Sequence, residues 1–584
     1  MRVFLGGGEE EIKELNTLCH GECIGEMALL TGEPRSASVQ SITALTTLKL
    51  TKESFDELLK KHHSLALHFA GILANRLAIL TAATDSSAAA GDARAALVSG
   101  QPEKSISTTK DEKTVVPRVL SNRKFLILLL MTAVCACTGM LLQSAGIIHA
   151  HIILIELLLA STFLWSFDIV PYHAVSIALP MFTVLFGVSK PEQAFSGFSK
   201  PYWFLALGVF ALSAAIFRTG LLYRLALMIM RRFPPHYLGQ SFALALSGFI
   251  LTPLVPSAYA RSILASPIAL TMSETMQLKR GSPGTIGIAM ACLLGFGHMS
   301  FVFMNGTAAC AFVLGLLPAN ALQPVTWGSW LKAAFPLGII FFFLSYLSII
   351  FLYHPKKSTE LNTDVIEAQL KTLGPMTGKE MISLFTIILS VVGFATEPWH
   401  HIDEAWIAML AFLIVFATSV IDEQAIRTDI DWSFLIALGA MVGFGDILTE
   451  SGLAAMIVSV IKPYLEIFCN SKVLFLMAFS MIVHLLRFAL PLTPGLLVGM
   501  LAIMPILSSI GIDPLVSGLV ALISSNPWVL RQQNSIYRAV WKATGGKSFN
   551  HEDTLGMALL HMLIVAVAVG LSVPYWEYLG LISS

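Results

Sequence analysis

From Phe125 onward the chain is a succession of apolar runs. Each is close to the ~20 residues a helix needs to cross a bilayer. The uninterrupted runs are Phe125–Leu142, Ile147–Phe167, Tyr172–Val188, Tyr202–Phe217, Leu331–Tyr353, Met381–Ala395, Ala405–Val420, Trp432–Leu448 and Leu555–Val573. Backbone N–H and C=O groups in hydrocarbon must find partners within the chain, so runs of this length predict helices. Four further runs, Leu238–Met272, Thr285–Leu317, Val473–Leu507 and Pro514–Leu530, are longer or are broken by Pro, Gly and polar residues. These predict re-entrant or discontinuous helices. The expected fold class is mainly α, a polytopic membrane protein.

Composition agrees with this. Of 584 residues 55% are hydrophobic and 13% charged, against about 25% charged in soluble proteins. Mean hydropathy is +0.74. Formal net charge is zero, which gives no case for nucleic acid as a partner. The seven cysteines are odd in number and scattered, unlike a disulfide framework. Cys19-His20-x-x-Cys23 has metal-ligand spacing, but no second pair follows, and no metal site is expected. There is no Gly-x-Ser-x-Gly elbow or metal-ligand cluster, so the chain does not read as an enzyme. Arg118, Arg123 and Lys124 precede the first run, and Arg224, Arg231 and Arg232 follow the fourth. Both clusters fall on one side, which the positive-inside rule makes cytoplasmic.

The membrane part repeats itself. Phe204-Leu-Ala-Leu-Gly208 before Thr219-Gly220-Leu221 is echoed by Leu435-Ile-Ala-Leu-Gly439 before Ser451-Gly452-Leu453. Each pair leads into a polar-interrupted apolar hairpin, Leu251–Ser262 in the first copy and Phe488–Gly495 in the second. Repeated halves with broken helices in matching places predict a transporter with its site at the midplane. The expected halves are residues 123–360 and 361–584.

Residues 1–82 read instead as a soluble domain closing in an amphipathic helix near Phe55–Leu80. Residues 83–122, rich in Ala, Ser, Thr, Gly and Lys without period, read as a flexible linker. The stretch Gly21–Val39 sets an acid, Glu26, and a base, Arg35, nine residues apart across the turn Thr31-Gly32-Glu33-Pro34. Backbone N–H groups at the start of a short helix from Glu26 and the Arg35 guanidinium suit a cyclic phosphate. Glu26 would accept from a ribose hydroxyl. The stretch resembles the phosphate-binding cassette of cyclic-nucleotide-binding domains, G-E-x-A-L followed by P-R-x-A-[ST]-V. The resemblance implies a small β-barrel-plus-helix domain in which Gly25, Glu26, Ala28, Leu29, Arg35, Ser36 and Ala37 hold cAMP or cGMP. Ser36 stands where a hydroxyl favours cGMP. Because Met1–Leu5 is already strand-like, the domain is expected to be N-terminally incomplete.

Several membrane stretches match a second family in order: Ala178–Lys200 with Gly-Phe-Ser-Lys-Pro, Thr219-Gly220-Leu221, Pro256-Ser257 through Ala260-Arg261, Gly306-Thr307-Ala308-Ala309, Glu397-Pro398-Trp399-His400, and Pro574-Tyr575-Trp576 before Leu579-Gly580. Residues 125–584 thereby resemble the divalent-anion:sodium symporter family. The resemblance implies paired inverted repeats, two hairpins meeting at the substrate, a homodimer, an elevator-like motion, and carriage of dicarboxylates, citrate or sulfate with Na+ as coupling ion. The chain departs from the family's Ser-Asn-Thr triplet at both tips, which read Ser257-Ala258-Tyr259 and Pro491-Leu492-Thr493. Side-chain oxygens suited to a hard cation are lost there, which weighs against sodium.

What remains suits an anion. Arg261 lies in an apolar hairpin and Arg487, beside His484, precedes the second tip. An arginine in hydrocarbon is costly, so each should face protein or water. The expected substrate residues are Ser257, Tyr259, Arg261, Asn305, Thr307, Thr493 and Asn526, the last in the second repeat's broken helix. His151, His173, His298, His400 and His401 mostly sit near helix ends and read as interfacial residues; the alternative is a proton relay through one of them, which a transport step at about pH 6.5 would mark. The expected function is secondary active transport of divalent anions, in the plasma (inner) membrane, with a cytoplasmic nucleotide-responsive domain. The alternative is a cyclic-nucleotide-gated channel. It would call for a Thr-Val-Gly-Tyr-Gly filter or a helix with Arg at every third position, and the chain has neither.

Overall fold

The structure, a computed structural model, describes residues 2–5, 13–17, 38–40 and 122–583, apart from 168, 256, 319–324, 358–359, 362, 454, 457–458, 461–470 and 547. The cassette residues Gly25, Glu26, Ala28, Leu29, Arg35, Ser36 and Ala37 lie outside the described residues, as do Cys19, Cys23 and the linker up to residue 121.

The chain forms two compact units, Met1–Pro117 with Asn362–Pro375, and Arg118–Leu361 with Met376–Ser584. In the first, strands β1 (Arg2–Leu5), β2 (Lys13–Thr17) and β3 (Ser38–Gln40) make an antiparallel sheet in the order β2-β1-β3. Val3 pairs with Asn16 on one side and Val39 on the other. A helix, Thr363–Leu373, also belongs to this unit.

The second unit is helical. Its main elements are α1 (Asn122–Ser144), α2 (His149–Ser166), α3 (Tyr172–Leu185), α4 (Pro201–Thr219), α5 (Leu221–Met230), α6 (Tyr237–Leu251), α7 (Ala258–Thr275), α8 (Pro283–Cys292), α9 (Ala308–Leu316) and α10 (Trp327–Tyr353). There follow α11 (Gly378–His400), α12 (Glu404–Ala417), α13 (Trp432–Glu450), α14 (Lys472–Ala489), α15 (Leu492–Ser509), α16 (Pro514–Ser524), α17 (Ser535–Ala543) and α18 (His551–Tyr578). Among the described residues ten helices are long and apolar enough to cross a membrane. The protein is therefore a mainly helical, multi-pass integral membrane protein.

Local chemistry sets the helix ends. Pro201, Pro283 and Pro514 open α4, α8 and α16, where a missing N–H costs nothing. Capping boxes open α10 (Thr326 with Ser329), α11 (Thr377 with Glu380) and α18 (Asn550 with Asp553). The repeat seen in sequence has a backbone reason at Gly220 and Gly452, which turn the chain after α4 and α13 with φ of 72° and 78°. Only glycine adopts that left-handed conformation freely. Glu380 also holds Arg224, 3.0 Å away inside α5 with both side chains buried. Arg224 thus belongs to the interior, and exposed Arg231 and Arg232 are left as the basic end of that helix.

The helices pack as two groups. In one, α4 lies against α11 and α12, and α13 against α3. The other contains α6 to α8, α10 and α14 to α18, with α18 between α10 and α14. Helix α9 bridges them, touching α4 and α13 on one side and α15 and α16 on the other. Burial runs from none along α1 to the whole of Pro283–Val302. The core of the fold is therefore the stretch containing α8 and the break that follows it.

Candidate functional site

Three of the four long interrupted runs fold as two helices around a break, and the fourth, 514–530, holds α16 and the start of a break. The 238–272 run is α6 and α7, separated at residues 252–257. The 473–507 run is α14 and α15, separated only by Leu490-Pro491. After α8 the chain passes through one π turn, Leu293–Gly297, and a 3-10 turn, His298–Val302, before α9 begins. After α16 it breaks again over residues 525–534 before α17. The first hairpin's α7 packs against α17, and the second hairpin's α15 packs against α9. Each hairpin thus meets the helix that follows the other half's break.

An arginine braces each hairpin tip. Arg261, in the first turn of α7, is fully enclosed. Its Nε donates to the Phe296 carbonyl at 3.1 Å, and its Nη1 to the carbonyls of Gly306 at 2.9 Å, Thr252 at 3.3 Å and Val255. It thereby satisfies carbonyls left over at the end of α6 and ties the tip to the first break. Its Nη2 has no partner among the described residues. Arg487, in the last turn of α14, donates to Ser525 at 2.7 Å, Gln533 at 2.5 Å and Leu490, all backbone carbonyls. It ties the second tip to the second break in the same way. Neither arginine has a carboxylate partner among the described residues, although Arg218, Arg224, Arg280 and Arg427 do. Two positive charges therefore stand buried at the two tips, solvated by carbonyls and, among the described residues, paired with no acid.

The other expected site residues distribute around these braces. Ser257 caps α7, its Oγ accepting from the Ala260 N–H at 3.2 Å. Tyr259, next to it, is 51% exposed. Asn305 uses both ends of its amide: Nδ2 donates to the Pro253 carbonyl at 2.9 Å, and Oδ1 accepts from the Trp327 indole at 3.0 Å. It clamps the first break to the first tip. Thr307 is half-buried at the N-cap of α9 and makes no capping bond with its side chain. Thr493 is buried in the first turn of α15. Asn526, half-buried, gives its Nδ2 to the Ser525 hydroxyl at 3.4 Å, and its carbonyl accepts from Asn534 at 2.8 Å. Ser257, Arg261 and Asn305 thus gather at the first tip and break, and Asn526 flanks the carbonyls that Arg487 holds.

One cluster escaped the sequence reading. His298 from the first break stacks on Trp528 from the second, with centroids 4.9 Å apart and planes 27° from parallel. His561 of α18 lies 4.8 Å from His298 and 4.7 Å from Trp528. His484 of α14 lies 6.3 Å from His561. The three histidines are 6%, 1% and 0% exposed (His298, His561, His484). Their Nε2 atoms and the Trp528 indole N–H all lack partners among the described residues. An orphaned buried polar group costs about 1–3 kcal/mol unless it finds a partner, and three of these four residues, His298, Trp528 and His561, line one small cavity. The members come from four segments far apart in sequence, and no spacing could have announced them.

Residues 122–582 match the family described as the sodium:sulfate symporter transmembrane region. The chain belongs to that family. It is a membrane transporter, and not an enzyme. Residues 2–62 match the cyclic nucleotide-binding domain. Among curated proteins the chain is 24% identical to the inner membrane protein YbhI of Escherichia coli over 59% of this chain and 72% of that one. It is 26% identical to the chloroplastic dicarboxylate transporter 1 of Spinacia oleracea over 45% and 47% of the two chains. It is 23% identical to the L-tartrate/succinate antiporter of Shigella dysenteriae over 52% and 63%. The match thus spans less than two thirds of the last two relatives.

Proposed function

We propose that this sodium:sulfate symporter family member is a secondary transporter of small divalent anions, dicarboxylates foremost. Alternating access would arise from an elevator-type displacement of the hairpin-bearing helix group against the group built on α4 and α13. The observation that carries this reading is the pair of buried arginines without acid partners, one at each hairpin tip. Fixed cations that the protein leaves unneutralised favour an anion arriving between them. The N-terminal dipoles of α7, α9 and α15 add partial positive charge in the same region. Ser257, Tyr259, Thr307, Thr493 and Asn526 offer hydroxyl and amide groups to orient a carboxylate. Dicarboxylates are favoured over sulfate by the names of the spinach and Shigella relatives.

The matched order of elements after α4 and after α13 supports two repeats, taken as inverted and joined in a homodimer. Both tips lack the Ser-Asn-Thr oxygens, so uptake should depend little on sodium. Residues 1–82 would form a cytoplasmic nucleotide-binding domain of barrel-plus-helix type, acting on transport through residues 83–122. A nucleotide can do so only by binding two conformers unequally.

Radiotracer uptake into proteoliposomes of the full chain tests this, with succinate, malate, citrate and sulfate, with and without sodium, and with and without cAMP or cGMP. Saturable dicarboxylate uptake that survives sodium removal and changes with nucleotide is expected. Uptake of none of the four anions would overturn the substrate class, and identical rates with and without nucleotide would remove the regulation.

A further inference from the structure

The buried histidines belong to neither brace, yet they stand where the two halves' breaks meet. His298 lies two residues beyond Phe296, whose carbonyl Arg261 holds. His484 lies one turn before Arg487 on the same face of α14. His484 Nδ1 is 2.7 Å from the Ser480 carbonyl, which can only accept, so Nδ1 carries the proton and Nε2 is the bare nitrogen. The Nε2 atoms of His298 and His561 are likewise without partners among the described residues. His298, His561, Trp528 and Ser345 line a small cavity otherwise walled by apolar side chains such as Met290 and Met557. No trio of His, Cys, Asp or Glu with metal-holding geometry occurs among the described residues.

We propose that His298, His484 and His561 form a proton-binding site whose occupancy is coupled to that of the substrate anion. The proposal rests on the transporter reading above.

The charges around the cluster give the coupling. Besides the three imidazoles, the titratable groups on the packed elements are few. On α14 they are Arg487 and, at the far end, Lys472. On α18 they are His551, Glu552 and Asp553 at its start and Tyr575, Glu577 and Tyr578 at its end. On α10 they are Lys332, Tyr346 and Tyr353, and both tyrosine hydroxyls donate elsewhere, to the Leu238 and Asp553 carbonyls. Arg261 on α7 faces the first break, Tyr259 and Glu274 lie at that helix's two ends with Glu274 paired to Arg280, and α15 and α16 carry no titratable residue. Tyr537 of α17 stacks on Trp528, its hydroxyl bonded to His551 and Thr554. The same helix carries Arg538 and Lys542, and Arg531 of the second break lies over the Trp541 ring. Tyr237 on α6 bonds the Gly284 carbonyl, and Cys292 ends α8.

No carboxylate of these elements reaches the cluster. A proton there adds a positive charge to those of Arg261 and Arg487, and the group that can offset all three is the anion itself. Anion binding therefore favours protonation, and by reciprocity protonation favours the anion. Loss of the anion leaves three mutually repelling cations, and the mobile one, the proton, departs. Rings this close carry one proton at a time, shared as a unit.

Two measurements on the purified full chain test this. Protonated imidazole quenches a stacked indole, so the Trp528 component of fluorescence, wild type minus Trp528→Phe, should fall in a sigmoid as pH is lowered, and saturating succinate should move that sigmoid to higher pH. The sigmoid should vanish in His561→Gln and persist in His401→Gln, an exposed histidine far from the cluster. This readout needs no transport, so a transport-dead variant still reports. In proteoliposomes, an inward proton gradient should raise succinate uptake at least fivefold, a rise abolished by a protonophore and absent in His561→Gln. A flat fluorescence titration would overturn the proton site. Succinate counterflow indifferent to the proton gradient would overturn the coupling while leaving the transporter reading intact, and absence of any anion flux would overturn both.

Discussion

At the scale of single residues, two arginines organise the proposed site, and the shape of the guanidinium matters as much as its charge. Arg261 reaches four carbonyls in three segments from one planar fork. Lysine would keep the charge but, as a compact donor, could not span them. Arg261→Lys is therefore expected to abolish succinate uptake at normal membrane abundance and to lower the melting temperature. Each stranded carbonyl costs about 1–3 kcal/mol. Wild-type uptake in that variant would reduce Arg261 to a bulk positive charge. Arg261 and Arg487 were legible in the sequence because a charge inside an apolar run has to be explained. Their partners were not, because backbone carbonyls carry no sequence signal. His561 was illegible for a different reason: a histidine on an apolar helix looks the same whether or not the rings of His298, Trp528 and His484 gather round it. Asn305, expected among the substrate residues, spends both ends of its amide on Pro253 and Trp327.

At the scale of elements, the broken helices could be read from Pro and Gly interruptions. The hairpin α6–α7 follows from the Thr252–Ser257 region, and the α14–α15 turn from Pro491. The switch from α to π to 3-10 geometry over 293–302 could not be read, since Leu293–Val302 is apolar throughout but for His298 and Ser300. Its cause lies in a neighbour. Gly295 and Gly248 let the π turn lie directly on α6, and a Cβ at Gly295 would run into the Ala245 backbone carbonyl. A stretch without side-chain bulk can thus sit against another backbone and present His298 and the Phe296 carbonyl inward. Gly295→Val is expected to push α6 from the break and destabilise the fold by about 1–3 kcal/mol. It should be read as a lower melting temperature with loss of uptake. An unchanged melting temperature would mean that the break tolerates displacement.

At the scale of the whole molecule, the mainly helical class followed from run length alone, since hydrocarbon admits few other solutions. Seven of the nine uninterrupted runs became candidate spans, Tyr172–Leu185 and Glu404–Ala417 are shorter, and Pro283–Val302, Lys472–Ala489 and Leu492–Ser509 came from the interrupted runs. The division into two helix groups did not. It depends on which faces meet, as when α9 is shared between α4 and α15. That division gives the elevator reading its physical form: one group carries both tips, both breaks and both arginines, and the other does not. A carrier of this kind exposes its site to one side at a time, so anion on the far side must accelerate entry by returning the site loaded. A pore obeys no such rule. The most direct measurement is counterflow: full-length protein in liposomes preloaded with millimolar succinate, diluted into a trace of radiolabelled succinate. The expected result is label accumulating transiently above its equilibrium level, with initial rates that saturate. A monotonic approach to equilibrium, with rates indifferent to the internal succinate, would contradict carriage by alternating access.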